Sequence, residues 1–177
     1  MFIKRVIVFF IFTGLFSGVY ALGSQSEVTE QDIEMTLSYF EEVIATIDGF
    51  GIFSHNVTIA LPMFIPGFGA AWGFFSAYST GFAFAAISAG TPELASINPL
   101  VVLLTPFGLM ELAAYSIAMS RSVLFIEKII RKVPVFSDKK MIAAEIGIMV
   151  ALLLIGGIIE YETVSYTHLT LPTSDLV

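Results

Sequence analysis

Cysteine is absent from the 177 residues of this chain, which excludes disulfides, thiolate metal sites and cysteine nucleophiles. Charge is scarce: only 13% of residues are Asp, Glu, Lys or Arg, against about 25% in soluble domains. From Gly49 to Thr91 there is no charged side chain at all, and His55 is the only titratable group there apart from tyrosines. A second histidine, His168, lies in an anomalous tail described below, so no nucleophile–His–acid triad can be assembled. One imidazole and scattered acids do not make a metal-ligand set. No catalytic residue, metal or cofactor is therefore expected, and the chain does not read as an enzyme. A net charge of −7 argues against a nucleic-acid partner, which requires a basic surface.

What remains is apolar. The chain is 56% hydrophobic with a mean hydropathy of +0.89, the composition of an integral membrane protein. Its length suits one compact bundle. One crossing needs about 20 apolar residues, so the uncharged stretch is long enough for two. It divides at Pro62, Pro66, Gly67 and Gly69, where a helix can kink or stop, into a hairpin of Phe50–Ile65 and Phe68–Ala89. Gly69, Gly73, Ala77, Gly81, Ala85 and Ala89 repeat at four-residue spacing. Small residues in that rhythm let helices approach closely in lipid, and Gly69, Gly73 and Gly81 are the expected packing positions.

Around this hairpin the other segments fall into order. Residues 1–22 carry two bases, Lys4 and Arg5, before an apolar run. They read either as a first span or as a signal peptide cleaved near Val19-Tyr20-Ala21. Residues 23–49 hold seven acids and no base. Ile33, Leu37, Phe40, Ile44 and Ile47 form the stripe of an amphipathic helix, with Thr29 and Asp32 as its cap and Gly49 as its stop. The three-span core is expected within 50–119, its last span over Pro99–Met119 and interrupted by Pro106 and Gly108. A basic segment follows at 120–140, with a helix over Val123–Val133 and a Glu127/Arg131 pair. Residues 141–159 make the last span. The expectation is an all-α polytopic bundle of about five transmembrane helices plus an external amphipathic helix. Five crossings put all eight Lys and Arg residues on one side and the acidic segment on the other. Positive residues mark the cytoplasmic side, so the N-terminus would be inside a cytoplasmic membrane and residues 23–49 outside.

Residues 164–177 stand apart. Val164-Ser165-Tyr166-Thr167-His168-Leu169-Thr170-Leu171-Pro172-Thr173 resembles the conceptual translation of a transposase sequencing adapter. The alternative is a polar, disordered end. On the adapter reading the genuine sequence stops near Thr163, and on neither does the tail carry function.

Polar groups within the spans are the candidates for chemistry. Glu111 lies about twelve residues into the span starting at Pro99, roughly 18 Å of rise and so near mid-bilayer. A carboxylate there costs at least about 2.5–3.5 kcal/mol. It must be neutral, paired or facing a cavity, for example bonding carbonyls freed by Pro106. Glu145 is expected to snorkel near the cytoplasmic end of the last span, at a depth that makes a shared-proton pair with Glu111 conceivable. His55 and Asn56 suit an interhelical hydrogen bond better than a metal. Gly67-Phe68-Gly69 with Gly73 lacks dinucleotide-loop spacing.

Three stretches together are similar to the stage II sporulation protein M family of bacterial and archaeal membrane proteins. They are Phe53-Ser54-His55-Asn56, the turn Pro66-Gly67-Phe68-Gly69 followed by Thr80-Gly81-Phe82, and Pro106-Phe107-Gly108-Leu109-Met110-Glu111. The last resembles the family's Pro-His-Gly-x-x-Glu element, with Phe107 where the family has His. Only Asn56, Pro106, Gly108 and Glu111 carry over, as a motif and not as an active site. The resemblance implies a polytopic fold and a scaffolding role, since the member in sporulating bacteria is a membrane component of a peptidoglycan-remodelling complex. The leading expectation is thus a non-enzymatic membrane protein that holds protein partners or copies of itself in an assembly. The alternative is a small-solute or ion transporter using Glu111. No small-molecule ligand is indicated by the sequence.

Overall fold

In the computed structural model the backbone is described for residues 2–92 and 94–170; of the side chains, those of Phe2, Ile44, Ala45 and 164–170 lie outside the description. All regular structure among these residues is helical. The helices are α1 (Phe2–Ser24), α2 (Glu30–Thr46), α3 (Gly49–Ala60), α4 (Phe68–Gly90), the single turn α5 (Leu100–Leu103), α6 (Pro106–Ile130) and α7 (Lys139–Thr170). A 3₁₀ turn over Leu61–Phe64 extends α3. The adapter-like tail lies outside the described side chains, and residues 171–177 outside the described backbone.

Helix α6 is the centre. Ala114, Ala118 and Met119 are fully buried on it, and Leu112, Tyr115 and Phe125 nearly so. Helices α1, α4 and α7 pack around it, and α3 lies along α7. The close approaches are made by glycine, because helices in lipid gain from backbone proximity. A Cβ on Gly81 would strike the Tyr20 carbonyl oxygen, and one on Gly23 the Tyr78 carbonyl oxygen, so α1 and α4 meet glycine to backbone on both sides. A Cβ on Gly73 would run into the Met119 thioether on α6, and one on Gly69 into the Met63 carbonyl of the 3₁₀ turn. A Cβ on Gly157 of α7 would come within 3.2 Å of the Gly49 carbonyl oxygen of α3.

The four-residue rhythm of α4 is buried at Gly69, Gly73, Ala77 and Gly81, and then the buried row moves to Ala86 while Ala89 is exposed. A row of every fourth residue drifts around a helix of 3.6 residues per turn, so it leaves the α1 seam within four turns.

The hairpin turns where the uncharged stretch has its prolines and glycines. Gly67 takes φ 79°, a left-handed backbone that suits glycine. The Ile65 carbonyl accepts from the Ser122 hydroxyl at 2.6 Å, and the Trp72 indole donates to the Ile59 carbonyl at 3.0 Å. Helix α2 is capped as anticipated: Thr29 and Asp32 bond reciprocally. It ends at Thr46, and Gly49 opens α3 behind an Asp48 cap instead of stopping α2.

A larger correction concerns the fourth apolar segment. It does not cover Pro99–Met119 but begins at Pro106 and continues to Ile130, taking in Arg121 and the stretch expected as a separate helix. Pro106 occupies the first turn, where its missing N–H removes no bond. Thr105 caps it by accepting from the Gly108 amide at 3.1 Å. The proline therefore starts the helix and does not break it.

Among the described residues, three helical stretches are long and apolar enough to cross a membrane: Ile3–Ser24, Pro106–Ile130 and Lys139–Thr163. Helix α4 matches them in length at 23 residues, but its Gly, Ser, Thr, Tyr and Trp content lowers its hydropathy. Helix α3 has 12 residues, to which the 3₁₀ turn adds four.

Glycine seams give a direct test. Gly81→Leu should destabilise the bundle by about 1–3 kcal/mol through overpacking, whereas Gly147→Leu, with open space around its Cβ position, should be near neutral. Thermal unfolding in detergent measures both.

Candidate functional site

The polar residues gather at the two ends of the bundle. At one end, Arg121 is 1% exposed on the last third of α6. Its Nε donates to Glu145 Oε2 at 2.5 Å and an Nη donates to Glu145 Oε1 at 2.6 Å, a bidentate pair with α7. The other Nη donates to Asp138 Oδ2 at 2.8 Å, and the guanidinium sits 5.6 Å from the Phe125 ring centroid. Arg5 of α1 completes the cluster. It pairs with Glu145, donates to the Ser120 hydroxyl at 2.8 Å and to the Ile117 carbonyl at 3.2 Å. Lys128 pairs with Asp138 and caps the Val135 carbonyl at 3.0 Å. Lys4 and Arg131 both pair with Glu127 at the rim.

Glu145 thus does not snorkel to a surface; it is 8% exposed and holds two arginines. Neither arginine was singled out from sequence, since both read as sidedness markers. The available signal was the serine row Ser116, Ser120 and Ser122 flanking Arg121, too polar for a lipid-facing stretch. Asp138 lies between α6 and α7. Burial pushes its carboxyl up, but the hydrogen bonds and charges of Lys128 and Arg121 outweigh that and hold it below the usual carboxylate range.

Glu111, Asn56 and His55 lie at the opposite end. Glu111 falls on the second turn of α6, about 8 Å of rise from its start, because the helix begins at Pro106. It does not share a proton with Glu145, which sits near the start of α7 and is held by Arg5 and Arg121. Nor does it bond carbonyls before Pro106. The Val102 carbonyl accepts from the Thr105 amide and hydroxyl. Instead Glu111 Oε1 accepts from Asn56 Nδ2 at 2.5 Å, joining α6 to α3. Asn56 is buried at 7% exposure, whereas His55 is exposed with no such bond.

Pro106 and Gly108 serve the helix start. Gly108 is buried, and a Cβ there would strike the Val102 carbonyl of α5. The Pro-x-Gly-x-x-Glu run therefore sets a tight helix entrance and puts the carboxyl one turn inside it.

That carboxyl faces a cavity of about 880 Å³ between α1, α2, α3, α4, α6 and α7. Glu111, Asn56, His55, Tyr115 and Glu160 line it. Tyr115 was not anticipated, although its position four residues after Glu111 places it on the same helix face. Tyr20 closes one wall, donating its hydroxyl to the Pro99 carbonyl at 3.2 Å. No group of three or more His, Cys, Asp or Glu side chains among the described residues could hold a metal ion.

The family profile described as stage II sporulation protein M matches residues 6–161. The chain belongs to that family. The matched range takes in α1 from residue 6, the acidic end, the ion-pair end apart from Lys4 and Arg5, and most of α7, and stops ahead of the adapter-like tail. No curated protein matches the chain, and no solved structure does. In this member the Pro-x-Gly-x-x-Glu element carries Phe107, which is half-buried beside α7: a Cβ on Gly156 would lie 3.7 Å from its carbonyl oxygen.

Two outcomes follow for the ion-pair end. Glu145→Ala should destabilise the protein by about 3–5 kcal/mol, since it leaves the Arg5 guanidinium without a carboxylate and the buried Arg121 with Asp138 alone, as read by thermal unfolding. Asp138 should contribute stability above its unfolded pKa of about 3.9 and lose that contribution as pH falls through its lower folded value. Asp138→Asn should flatten this acid limb of a pH–stability profile.

Proposed function

We propose that this protein is a non-enzymatic component of a cell-envelope membrane assembly. It would cross the cytoplasmic membrane five times, with α1, the extended α3, α4, α6 and α7 as spans. The basic end, holding all eight Lys and Arg residues, would be cytoplasmic by the positive-inside rule, and α2 would lie outside.

The observation that carries this reading is the placement of α2. Its Ile33 and Leu37 side chains close over Gly90 at the end of α4. Glu30, Glu34, Glu41 and Glu42 are exposed, together with Met35 and Tyr39. Those acids cannot face lipid hydrocarbon, so the helix stands at the surface as an acidic face interspersed with apolar side chains. Such a face suits a protein partner, or a second copy, bearing basic and apolar groups. Membership of a family described by a sporulation protein agrees with envelope work without assigning sporulation to this chain. A transport role through Glu111 has less support. A conducting path would have to pass the Arg5–Glu145–Arg121 cluster, which fills the opposite end with hydrogen-bonded charge.

Site-specific photocrosslinking from Met35 and Tyr39 tests the assembly. Discrete adducts, or a crosslinked dimer, are expected and should be lost in Glu34→Lys/Glu41→Lys; adducts from neither position would overturn the reading. The cysteine-free background makes topology equally testable. Ser38→Cys and Ser137→Cys should label with an impermeant maleimide from opposite faces of the membrane. Labelling of both from the same face would remove the five-span arrangement.

A further inference from the structure

The cavity at the acidic end is built for a ligand of definable chemistry. Its volume of about 880 Å³ lies within the range of small-molecule sites. Phe16, Tyr20, Tyr39, Phe40 and Tyr161 supply aromatic wall, and neither Lys nor Arg lines it. Two carboxyl groups, Glu111 and Glu160, face it from α6 and α7. One oxygen of Glu111 is occupied by Asn56, while Glu160 accepts no hydrogen bond from the described residues. Tyr115, on a side chain only 7% exposed, also turns toward the cavity and its hydroxyl has no hydrogen-bond partner among the described residues. Polar groups left without a partner away from water are costly, and here α6 and α7 turn them toward one space.

From this arrangement we propose that the cavity binds an organic cation, an ammonium-type head on an apolar body, with the head between Glu111, Glu160 and Tyr115. The aromatic wall favours such a head through ring-face attraction, and the apolar body occupies the remainder. Anions are disfavoured by the two carboxyl groups and the absence of Lys and Arg from the lining. The same charge balance disfavours a phosphate-bearing lipid headgroup relative to a free amine. Helix α2 contributes Tyr39, Phe40, Val43 and Ile47 to the wall, so an occupied cavity would be covered by the same helix that presents the acidic outer face. The proposal stands independently of the assembly reading, since a site can be filled whether or not α2 docks a partner.

The test uses the full chain in nanodiscs and equilibrium dialysis with tetraphenylphosphonium, a compact lipophilic cation. Its near-isosteric anion, tetraphenylborate, controls for apolarity. Saturable binding of the cation near one per chain, with at least tenfold weaker binding of the anion, is expected. Glu111→Gln/Glu160→Gln should weaken cation binding at least tenfold while a thermal unfolding scan stays close to that of the unmodified protein. Tyr115→Phe should give a smaller loss, a few-fold. Decylammonium should displace the probe and lysophosphatidylethanolamine should not. Equal binding of cation and anion would overturn the proposal on the unmodified protein alone, whatever the variants do. Displacement by the lysophospholipid as readily as by decylammonium would assign the site to lipid headgroups and overturn it too.

Discussion

A guanidinium buried among apolar helices has to be answered in kind, and Arg121 sets that demand for this bundle. Leaving such a charge unpaired costs several kcal/mol, so Glu145 and Asp138 must reach it together. That requirement places the start of α7 against the last third of α6 and bends the connecting segment back over the helix end. Glu145 then has a second oxygen environment to satisfy, which Arg5 fills from α1. Three helices distant in sequence are registered by one cluster. Apolar surfaces in lipid slide against each other at little cost, whereas a bidentate pair has one geometry, so the cluster specifies register where packing alone leaves it loose.

The opposite end works with weaker groups and more space. A single carboxyl–amide bond between Glu111 and Asn56 links α6 to α3, and the remaining polar groups face a cavity. The contrast between the ends follows from what each carries. One has as many acids as it needs to meet its buried arginines; the other has acids and hydroxyls with no Lys or Arg. A closed, charge-matched end and an open, acid-lined end give the bundle a polarity along its axis. In between, glycines on α4 bring α1 to backbone distance and seat the Met119 side chain of α6, so the middle contains little but close packing.

Much of this was legible beforehand for specific reasons. The uncharged run from Gly49 to Thr91 and its proline and glycine break led to the α3–α4 hairpin, because few other structures tolerate that composition. Thr29 and Asp32 announced the start of α2 through local chemistry alone. The motif Pro106-x-Gly108-x-x-Glu111 was visible as a unit, and Asn56 was already a candidate for bonding between helices. The misreading of Pro106 as an interruption was an error of phase: the same residue breaks a helix from inside or opens one from its first turn. That choice put Glu111 on the second turn of α6, away from Glu145, which the arginines hold.

Sequence by itself determined that this is an all-helical membrane protein of the stage II sporulation protein M family, since hydropathy, helix caps and short motifs act over a few residues. Only the tertiary structure decided which charges are buried and with whom. Arg5 and Arg121 look like any juxtamembrane bases when read along the chain, and Tyr115 and Glu160 like ordinary span residues. Their partners lie tens to more than a hundred residues away. A buried ion pair or a cavity wall is a property of neighbours in space, and nothing local in the chain records who those neighbours will be.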